Sequence, residues 1–274
     1  MGIADEVRSK LRSLGVTPSK DFGQNFLLDT AGLNAIVEFG NPQKGQTLVE
    51  IGPGLGALTG ALRHFGNLTV IEVEPAFCKH IEQSYPDVNV VCGDIREQCL
   101  SDLGNDLVIF GNLPYSFSTD ITILFLQYAD CIKQATCLLQ KEFAERLAAK
   151  PGTKKYGTIT VATQVHARVQ LGPIIPGDSF FPPVAVESQV VKLRFREEPL
   201  CKPEDSYWLQ LVTKAAFFRR RKKIGNSMRA SKTFPPDLVD AALAAANIDS
   251  DRRAETVAVE EYVELARQVA ARSS

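Results

Sequence analysis

Four consecutive residues after an apolar run, Asn112-Leu113-Pro114-Tyr115, combine hydrogen-bond acceptors with an aromatic ring. The exocyclic amino nitrogen of a nucleobase is a poor nucleophile because its lone pair is delocalised into the ring. Accepting hydrogen bonds from both of its N–H groups draws that pair toward a methyl donor. The Asn112 amide oxygen is one acceptor, and Pro114 favours an extended Leu113, whose carbonyl is the second. Tyr115 offers a face for an unstacked base. These residues predict methylation of a base amino group; the alternative is a proline turn with Tyr115 in the core.

A glycine-rich turn and two acids suggest where a cofactor would bind. Gly52-Pro53-Gly54-Leu55-Gly56 leaves one apolar run and opens a helical pattern, so the backbone can turn sharply and approach a ligand. A dinucleotide fingerprint would want a further glycine at Ala57. Glu72 ends the next apolar run about twenty residues on, the usual place for an acid that binds a ribose diol. Asp94 follows the third run. We expect these groups to share one crevice, the alternative being that both acids are merely solvated.

Short apolar runs alternate with helical patterns over the first two-thirds of the chain. The runs are continuous rather than alternating, which is typical of parallel strands buried on both faces. The order predicts βαβ units and a doubly wound sheet. The predicted strands are Thr47–Ile51, Leu68–Glu72, Val88–Cys92, Asp106–Phe110 and Ala135–Gln140, and the predicted helices are Gly56–His64, Pro75–Tyr85, Thr119–Tyr128 and Lys141–Lys150.

The last third of the chain has a different pattern of apolar residues. Thr158–Arg168 and Gln189–Phe195 look like strands of an antiparallel edge pair, and the polar segment Arg196–Asp205 indicates a boundary. Beyond it, apolar residues recur at helical spacing. We therefore predict an α/β domain at residues 1–197 and a small all-helical domain at residues 198–274. The predicted tail helices are Tyr207–Phe218, Pro235–Ala246 and Val259–Ala271.

The chain has 274 residues and a formal net charge of −1, but its charge is unevenly distributed. Between Lys214 and Lys232 there are eight basic residues and no acid, so we expect an anionic partner there. The cluster Arg219, Arg220, Arg221, Lys222 and Lys223 is placed in a helical region and predicted to contact RNA phosphates, the alternative being a solvated helix end. The nearly neutral total argues against tight binding of arbitrary RNA and favours a pre-assembled particle.

Several classes of protein are disfavoured. No apolar window is long enough for a transmembrane helix, and charged residues from Asp5 to Arg12 argue against a secretory signal, so a cytoplasmic protein is expected. Six dispersed cysteines without a C-x-x-C pair predict buried thiols and no metal site. Hydrolase chemistry is not indicated, since G-x-S-x-G is missing.

Taken in order, the motifs resemble one family, the ribosomal RNA adenine dimethyltransferases, which depend on S-adenosylmethionine. The similarity runs from about Asp21 to the carboxyl end. The segments that carry it are Phe22–Leu27, Gly52–Thr59, Asn112–Tyr115, Leu139–Glu142, Phe180–Pro183, Val186–Ser188, Phe217–Met228 and Arg253–Glu255. The resemblance implies a Rossmann-like methyltransferase domain followed by the helical domain.

The resemblance also implies a role for individual residues. Phe180 would face Tyr115 across the target base, although Phe181 adds bulk beside it and Val184 replaces a common third proline. The implied cofactor contacts are Asn25 and Leu27 lining the site, Gly52 at the amino-acid end, Glu72 at the ribose, Asp94 at the adenine amino group and Asn112 between cofactor and target.

The preferred function is dimethylation of two neighbouring adenosines near the 3′ end of small-subunit ribosomal RNA, within a pre-assembled ribosomal particle. The Leu113 form of the motif and the basic segment favour this branch over the large-subunit methyltransferases that confer macrolide-type resistance. A nicotinamide-dependent dehydrogenase has no use for the Asn112–Tyr115 motif, and a non-catalytic RNA-binding assembly factor on the same fold stays open. We expect a monomer that binds neither metal nor membrane.

Overall fold

A computed structural model describes residues 2–17 and 25–273. The chain divides into two units. The sheet unit comprises Met1–Ala144 and Gln170–Phe195, and the helical unit comprises Glu145–Val169 and Arg196–Ser274. This division differs from the predicted one because residues 145–169 belong with the tail: Tyr156 and Val165 are buried in the core of the helical unit.

The sheet unit contains a seven-stranded mixed sheet with the order β4-β3-β2-β5-β6-β9-β7. The pairs that join β4, β3, β2, β5 and β6 are parallel, and β9 runs antiparallel to β6. A separate two-stranded antiparallel sheet joins β1 to β8. The strands are β1 (Phe26–Leu27), β2 (Gln46–Ile51), β3 (Gly66–Glu72), β4 (Asn89–Cys92), β5 (Leu107–Asn112), β6 (Ile132–Gln140), β7 (Ala167–Ile175), β8 (Phe180–Phe181) and β9 (Ser188–Phe195).

Helices connect these strands and form the helical unit, and the five predicted central strands and the helices between them are confirmed within a few residues. The helices of the described residues are α1 (Ile3–Ser13), α2 (Thr30–Gly40), α3 (Ala57–Leu62), α4 (Pro75–Ser84), α5 (Ser118–Gln127), α6 (Lys141–Leu147), α7 (Thr158–His166), α8 (Ser206–Phe217), α9 (Ile224–Ser231), α10 (Pro236–Ala245) and α11 (Val259–Ser273).

The core of the sheet unit explains why the strands form where they do. Leu48, Val70 and Phe110 point into one continuous apolar cluster and are inaccessible to solvent. Successive strands run outward from β2 in one direction and from β5 in the other, so the order reverses between them. Ligands of doubly wound sheets bind outside the carboxyl ends of the strands at such a reversal. Ile51 pairs with Gly111, so the residues that follow β2 lie beside the end of β5.

The prediction of a strand over Thr158–Arg168 is wrong. Residues 158–166 form α7, and the strand β7 begins only at Ala167. The β-branched residues suggest a strand, but Val161 and Val165 lie one helical turn apart and both are buried in the core of the helical unit. Burial of that face outweighs local β propensity. The predicted strand at Gln189–Phe195 is confirmed, with antiparallel pairing to β6.

The expectation that all cysteines are buried thiols is also wrong. Cys78 and Cys92 are joined by a disulfide, and Cys99 is exposed, whereas Cys131, Cys137 and Cys201 are buried free thiols. The sequence does not suggest the pair because 14 residues separate its members. The βα order of the sheet brings them together: Cys78 lies in α4, and Cys92 ends the neighbouring strand β4.

Candidate active site

A cavity lies at the carboxyl edge of the sheet, where β2, β3, β4 and β5 end. Its lining includes every residue predicted to contact the cofactor and all four residues of the predicted methylation motif. The topology therefore brings together groups that are widely separated in the sequence. These residues are Asn25, Leu27, Gly52, Glu72, Asp94, Asn112, Leu113, Pro114 and Tyr115.

The turn after β2 has a backbone conformation that favours glycine. Gly52, Gly54 and Gly56 have φ angles of 67°, 55° and 85°, a region that residues with a Cβ rarely adopt. A Cβ on Gly54 would also lie 3.1 Å from the ring of Phe26. The turn thus leaves main-chain groups uncovered along one wall of the cavity.

Glu72 is buried at the end of β3, and its carboxylate is fixed by the backbone. One oxygen accepts a hydrogen bond from the amide of Gly54 at 3.0 Å, and the other accepts one from the amide of Glu74 at 2.9 Å. Burial raises the pKa of Glu72, while these two bonds act in the opposite direction. Because each carboxylate oxygen has two lone pairs, the group can still accept from a pair of ligand hydroxyls.

A second buried acid, Glu50, lines the same cavity and was not assigned a role from the sequence. Its carboxylate accepts a 2.6 Å hydrogen bond from the Thr59 hydroxyl at the start of α3. Desolvation raises the pKa of Glu50 to about 8, against the opposing effect of the Thr59 bond. The available signal was an acid between Val49 and Ile51 in the buried part of β2, a position that is costly unless the charge is neutralised.

Asp94 follows β4 and is held by Arg96, another residue that the sequence did not single out. The Asp94 carboxylate accepts from the Arg96 amide at 2.9 Å and from its guanidinium Nε at 3.0 Å. These bonds hold the pKa of Asp94 below its usual value. The Arg96 guanidinium lies 4.2 Å from the centre of the Phe117 ring. Asp94 is therefore ionised and oriented.

Asn112 ends β5 with its side-chain amide held from one side. The Asn112 Nδ2 group donates to the carbonyl oxygen of Asn25 at 2.8 Å. This bond uses the donor end of the amide, so its oxygen is the end that can accept. That polarity matches the acceptor role predicted for Asn112.

Tyr115 is half-buried beside this amide, and its hydroxyl is fixed to a neighbouring strand. The Tyr115 and Ser188 hydroxyls lie 2.6 Å apart, and Ser188, the first residue of β9, is completely buried. Desolvation raises the pKa of Tyr115, against the effect of the Ser188 bond, so the phenol is neutral at physiological pH. Sequence analysis placed Ser188 in a family motif without a role; here it orients the ring.

Phe180, the predicted partner of Tyr115 across the target base, is buried in the core. The Phe180 side chain is only 1% exposed and packs in the core of the sheet unit, and it does not line the cavity. Leu27 pairs with Phe180 and Phe26 with Phe181 in the two-stranded sheet. The stacking role of Phe180 thus stays a prediction. The motif residues Phe22, Gly23 and Gln24 lie outside the described residues.

The basic cluster was expected to lie in a helical region, but it does not lie on a helix. Residues 218–222 form the turn between α8 and α9. Two of its members are engaged within the helical unit. Arg220 donates to the carbonyl of Tyr156 at 3.0 Å and lies 3.6 Å from a Glu255 oxygen, and Lys223 forms an ion pair with Asp251 at 2.7 Å.

The other three members of the cluster, Arg219, Arg221 and Lys222, are exposed. No ion pair to any of them is formed within residues 2–17 and 25–273. Arg219 lies 5.9 Å from the ring centre of Phe218, which is itself exposed. Arg219 and Phe218 thus present a cation and an aromatic ring side by side, a combination suited to contact with nucleic acid.

Two kinds of feature are absent from the described part of the chain. It contains no helix that is both long and apolar enough to cross a membrane. Nor do three or more histidine, cysteine or acidic side chains gather there in a group able to hold a metal ion.

Comparison with known proteins identifies the family. A family profile described as ribosomal RNA adenine dimethylase matches residues 16–271. The chain belongs to the ribosomal RNA adenine dimethylase family. The dimethylase is 38% identical to ribosomal RNA small subunit methyltransferase A of Mannheimia succiniciproducens, over 94% of this chain and 92% of that one. It is 35% identical to the protein of the same name from Alkaliphilus metalliredigens, over 93% and 92% of the two chains.

Solved structures agree with the fold of this dimethylase. A dimethyladenosine transferase from Plasmodium falciparum superimposes with a TM-score of 0.77 at 21% identity, covering 88% of this chain and 95% of that one. The 23S rRNA methyltransferase ErmE superimposes with a TM-score of 0.69 at 25% identity, covering 89% and 99%. These superpositions confirm the predicted α/β fold, and the family profile and the relatives confirm the predicted family.

Members of the dimethylase family use S-adenosylmethionine, and the cavity fits that molecule. The glycine turn leaves main-chain groups open toward the cavity, Glu72 supplies acceptors at its middle, and Asp94 supplies an ionised carboxylate at its far strand. These features suit, in order, an amino-acid moiety, a ribose diol and an adenine amino group.

Proposed function

We propose that this dimethylase transfers methyl groups from S-adenosylmethionine to N6 of two neighbouring adenosines near the 3′ end of small-subunit ribosomal RNA. The observation that carries the proposal is the Asn112 amide, which is held by Asn25 with its oxygen as the accepting end. It lies in the same cavity as the glycine turn and Glu72. A cofactor cavity bordered by an oriented hydrogen-bond acceptor and an aromatic ring is suited to a base with an exocyclic amino group.

The choice of the small subunit rests on relatedness. Eight relatives with 33–38% identity, each matched over 92–94% of this chain, carry the name ribosomal RNA small subunit methyltransferase A. ErmE, named for 23S rRNA, is 25% identical. This difference supports the small-subunit substrate over the large-subunit alternative.

The residues at the sheet edge would hold the cofactor in a fixed orientation. Main-chain groups of the turn from Gly52 to Gly54 would face its amino-acid end, Glu72 would accept from the ribose hydroxyls, and Asp94 would accept from the adenine amino group. When bound, S-adenosylmethionine supplies a methyl group already activated by its sulfonium. The protein therefore has to contribute position and electrostatics more than activation.

The motif after β5 would hold the target amine. The Asn112 side-chain oxygen and the Leu113 carbonyl accept hydrogen bonds from the N6 hydrogens and direct the nitrogen lone pair away from the ring plane. Pro114 fixes the backbone that follows Leu113, and Tyr115 stacks on the base. The nitrogen becomes cationic as the new bond to carbon forms, after which its proton leaves to water. In the second methylation N6 carries a single hydrogen, so only one of the two acceptors receives a hydrogen bond from it.

Contact with RNA is proposed for the part of the basic cluster that the fold leaves unengaged. Arg219, Arg221 and Lys222 are exposed and lack acidic partners among the described residues, so they are available to phosphates. Arg220 and Lys223 instead bind within the helical unit. Three cations on a nearly neutral protein suit a pre-assembled ribosomal particle better than naked RNA.

Since bacterial ribosomes assemble in the cytoplasm, we propose that this dimethylase acts in the cytoplasm. We also propose that it acts as a monomer.

The decisive experiment offers the protein labelled S-adenosylmethionine together with small or large ribosomal subunits that lack the modification, followed by mapping of the modified nucleotides. We expect label in two neighbouring adenosines of the small subunit, with none in the large subunit. Asn112→Ala should remain folded but transfer far less label. Label confined to a large-subunit adenosine would overturn the choice of substrate. Cofactor binding without transfer to either subunit would favour the non-catalytic assembly role.

A further inference from the structure

We propose that Cys78 and Cys92 form a redox-responsive site whose oxidation tightens the cofactor cavity. The cavity is the one described above, so the inference rests on the proposed function only in assigning that cavity to S-adenosylmethionine. No residue of the methylation motif takes part.

The two cysteines are placed for reversible bonding. Their Cα atoms lie 5.9 Å apart, in the middle of the range that a disulfide spans. Cys92, at the end of β4, is exposed, whereas Cys78, inside α4, is only 4% exposed. The exposed thiol is therefore the one that meets an oxidant or reductant, and the buried thiol closes or releases the bond.

The pair is connected directly to the ribose-binding acid. Cys92 is the register partner of Glu72 between β4 and β3. The next residue, Gly93, donates its amide to the Glu72 carbonyl at 2.8 Å. Gly93 and Asp94, which follow Cys92 immediately, line the cavity. Any change in the position of Cys92 therefore reaches two of the strand ends that line the cavity, those of β3 and β4.

Reduction changes the hydrogen bonding at the same point. The Cys78 sulfur lies 3.3 Å from the Glu72 carbonyl oxygen. A sulfur in a disulfide carries no hydrogen, whereas the reduced thiol is a donor. In the reduced protein this carbonyl accepts from Cys78 as well as from Gly93. In the oxidised protein it accepts from Gly93 alone, and a covalent link holds β4 to α4.

The chemistry is thiol–disulfide exchange with a small disulfide such as oxidised glutathione. The Cys92 thiolate attacks one sulfur of the small disulfide, forms a mixed disulfide and releases one thiolate. The Cys78 thiolate then attacks the Cys92 sulfur and releases the second. The two cysteines lose two electrons and two protons, and the small disulfide gains both as two thiols. Excess reduced thiol reverses each step.

The oxidised state should bind the cofactor more tightly. The bond spans 14 residues and ties the segment that leads to Asp94 to a helix, so less freedom remains to be lost on binding. We expect the dissociation constant for S-adenosylmethionine to be about three- to tenfold lower for the oxidised protein than for the reduced one. By linkage, saturating cofactor must shift the thiol–disulfide equilibrium by the same factor. A tenfold shift corresponds to about 30 mV.

The experiment equilibrates the full chain in glutathione buffers of graded ratio, with and without S-adenosylmethionine. Thiols are trapped by alkylation and identified by mass spectrometry, while calorimetry measures cofactor affinity at each end of the series. Wild type should show a Cys78–Cys92 link that forms in parallel with the gain in affinity. Cys99→Ser, which alters an exposed cysteine outside the pair, should behave like wild type.

Two variants keep the result interpretable. Cys92→Ser alters the exposed member and should bind cofactor with the reduced-state affinity in every buffer. Cys78→Ser should behave in the same way, and if it fails to fold, Cys92→Ser alone still decides. The inference is overturned if no Cys78–Cys92 link forms under oxidising conditions, or if it forms without changing cofactor affinity. Loss of ribosomal methylation with an intact redox response would count against the proposed function and leave this inference standing.

Discussion

The ring and the hydroxyl of Tyr115 have different proposed roles, and Ser188 contacts the hydroxyl. The ring is proposed to stack on the target base, while the 2.6 Å contact between the two hydroxyls fixes the angle at which the ring is presented. Without this contact the ring keeps its stacking surface but is no longer anchored. The hydroxyl therefore matters for position, and the ring matters for binding.

We expect Ser188→Ala and Tyr115→Phe each to lower turnover modestly, by about the 0.5–1.5 kcal/mol of one hydrogen bond, and their double variant to lower it little further. Tyr115→Ala should cost more, because base–aromatic stacking contributes about 1–3 kcal/mol. Single-turnover methylation of small subunits measures all four proteins. Equal losses for Tyr115→Phe and Tyr115→Ala would refute the division between ring and hydroxyl.

Glu72 provides a test of the cofactor cavity. Loss of a hydrogen bond to a charged group costs about 1.5–3 kcal/mol, so Glu72→Ala should weaken S-adenosylmethionine binding by roughly 10- to 150-fold. Calorimetry on the folded variant measures the change, and Glu97→Ala, at an exposed residue of the same region, serves as the control. Unchanged affinity of a folded Glu72→Ala protein would remove the residue from the cofactor site.

Glu50 gives the protein a pH-dependent stability. The folded protein keeps Glu50 protonated up to a pKa of about 8, whereas in the unfolded chain this group titrates near 4.5. Between these values unfolding releases a proton, so stability falls as pH rises, by at most about 1.4 kcal/mol per pH unit. For a protein of this size that is roughly 3–5 °C per unit.

Glu50→Gln keeps an acceptor for the Thr59 hydroxyl and cannot ionise. Its melting temperature should fall less steeply between pH 5 and 8 than that of wild type, and the two curves should converge toward low pH. Glu72, whose pKa is also raised by burial, leaves a residual slope in both proteins. Parallel melting curves across this range would contradict the assignment of a neutral Glu50.

At the scale of elements, the basic residues of the turn between α8 and α9 fall into two groups, one proposed to bind RNA and one that stabilises the fold. Changing Arg219, Arg221 and Lys222 together to alanine should leave the melting temperature unchanged. It should also reduce the salt dependence of binding to small subunits, by roughly 0.7–0.9 in log K per log salt for each phosphate that is no longer neutralised. Changing Arg220 and Lys223 instead should lower the melting temperature. A salt series and thermal melts on both variants test this contrast, which fails if the two behave alike.

Elements near the cofactor were predictable because their signals are local. The continuous apolar runs that became β2, β3 and β5, and the glycines at their ends, depend on backbone chemistry within a few residues. Helix α7 was mistaken for a strand because its β-branched residues are overruled by a core formed with residues of the tail. The sequence predicts helix at residues 218–222, where the structure has a turn, because helical periodicity continues on both sides of it.

Within the site, the side chains proposed to contact ligands were predictable from the sequence. The residues that hold those side chains in position were not. Asn112 and Glu72 stand at strand ends, where position in the chain implies exposure to a ligand. Arg96, Ser188 and the Cys78–Cys92 link act through partners that only the folded chain brings near. No local pattern marks such residues, because their significance lies in the pairing.

For the molecule as a whole, the bonds that complete the site span long stretches of chain. Asn112 reaches back 87 residues to Asn25, and Tyr115 reaches forward 73 residues to Ser188. A ribosome delivers the chain from its amino end, so the glycine turn, Glu72 and Asp94 emerge well before β9. Ser188, which fixes the Tyr115 ring, is therefore missing until most of the protein has been made. The residues proposed to bind the methyl donor are thus synthesised before Ser188, and the contact that fixes the Tyr115 ring can form only after β9 has been made.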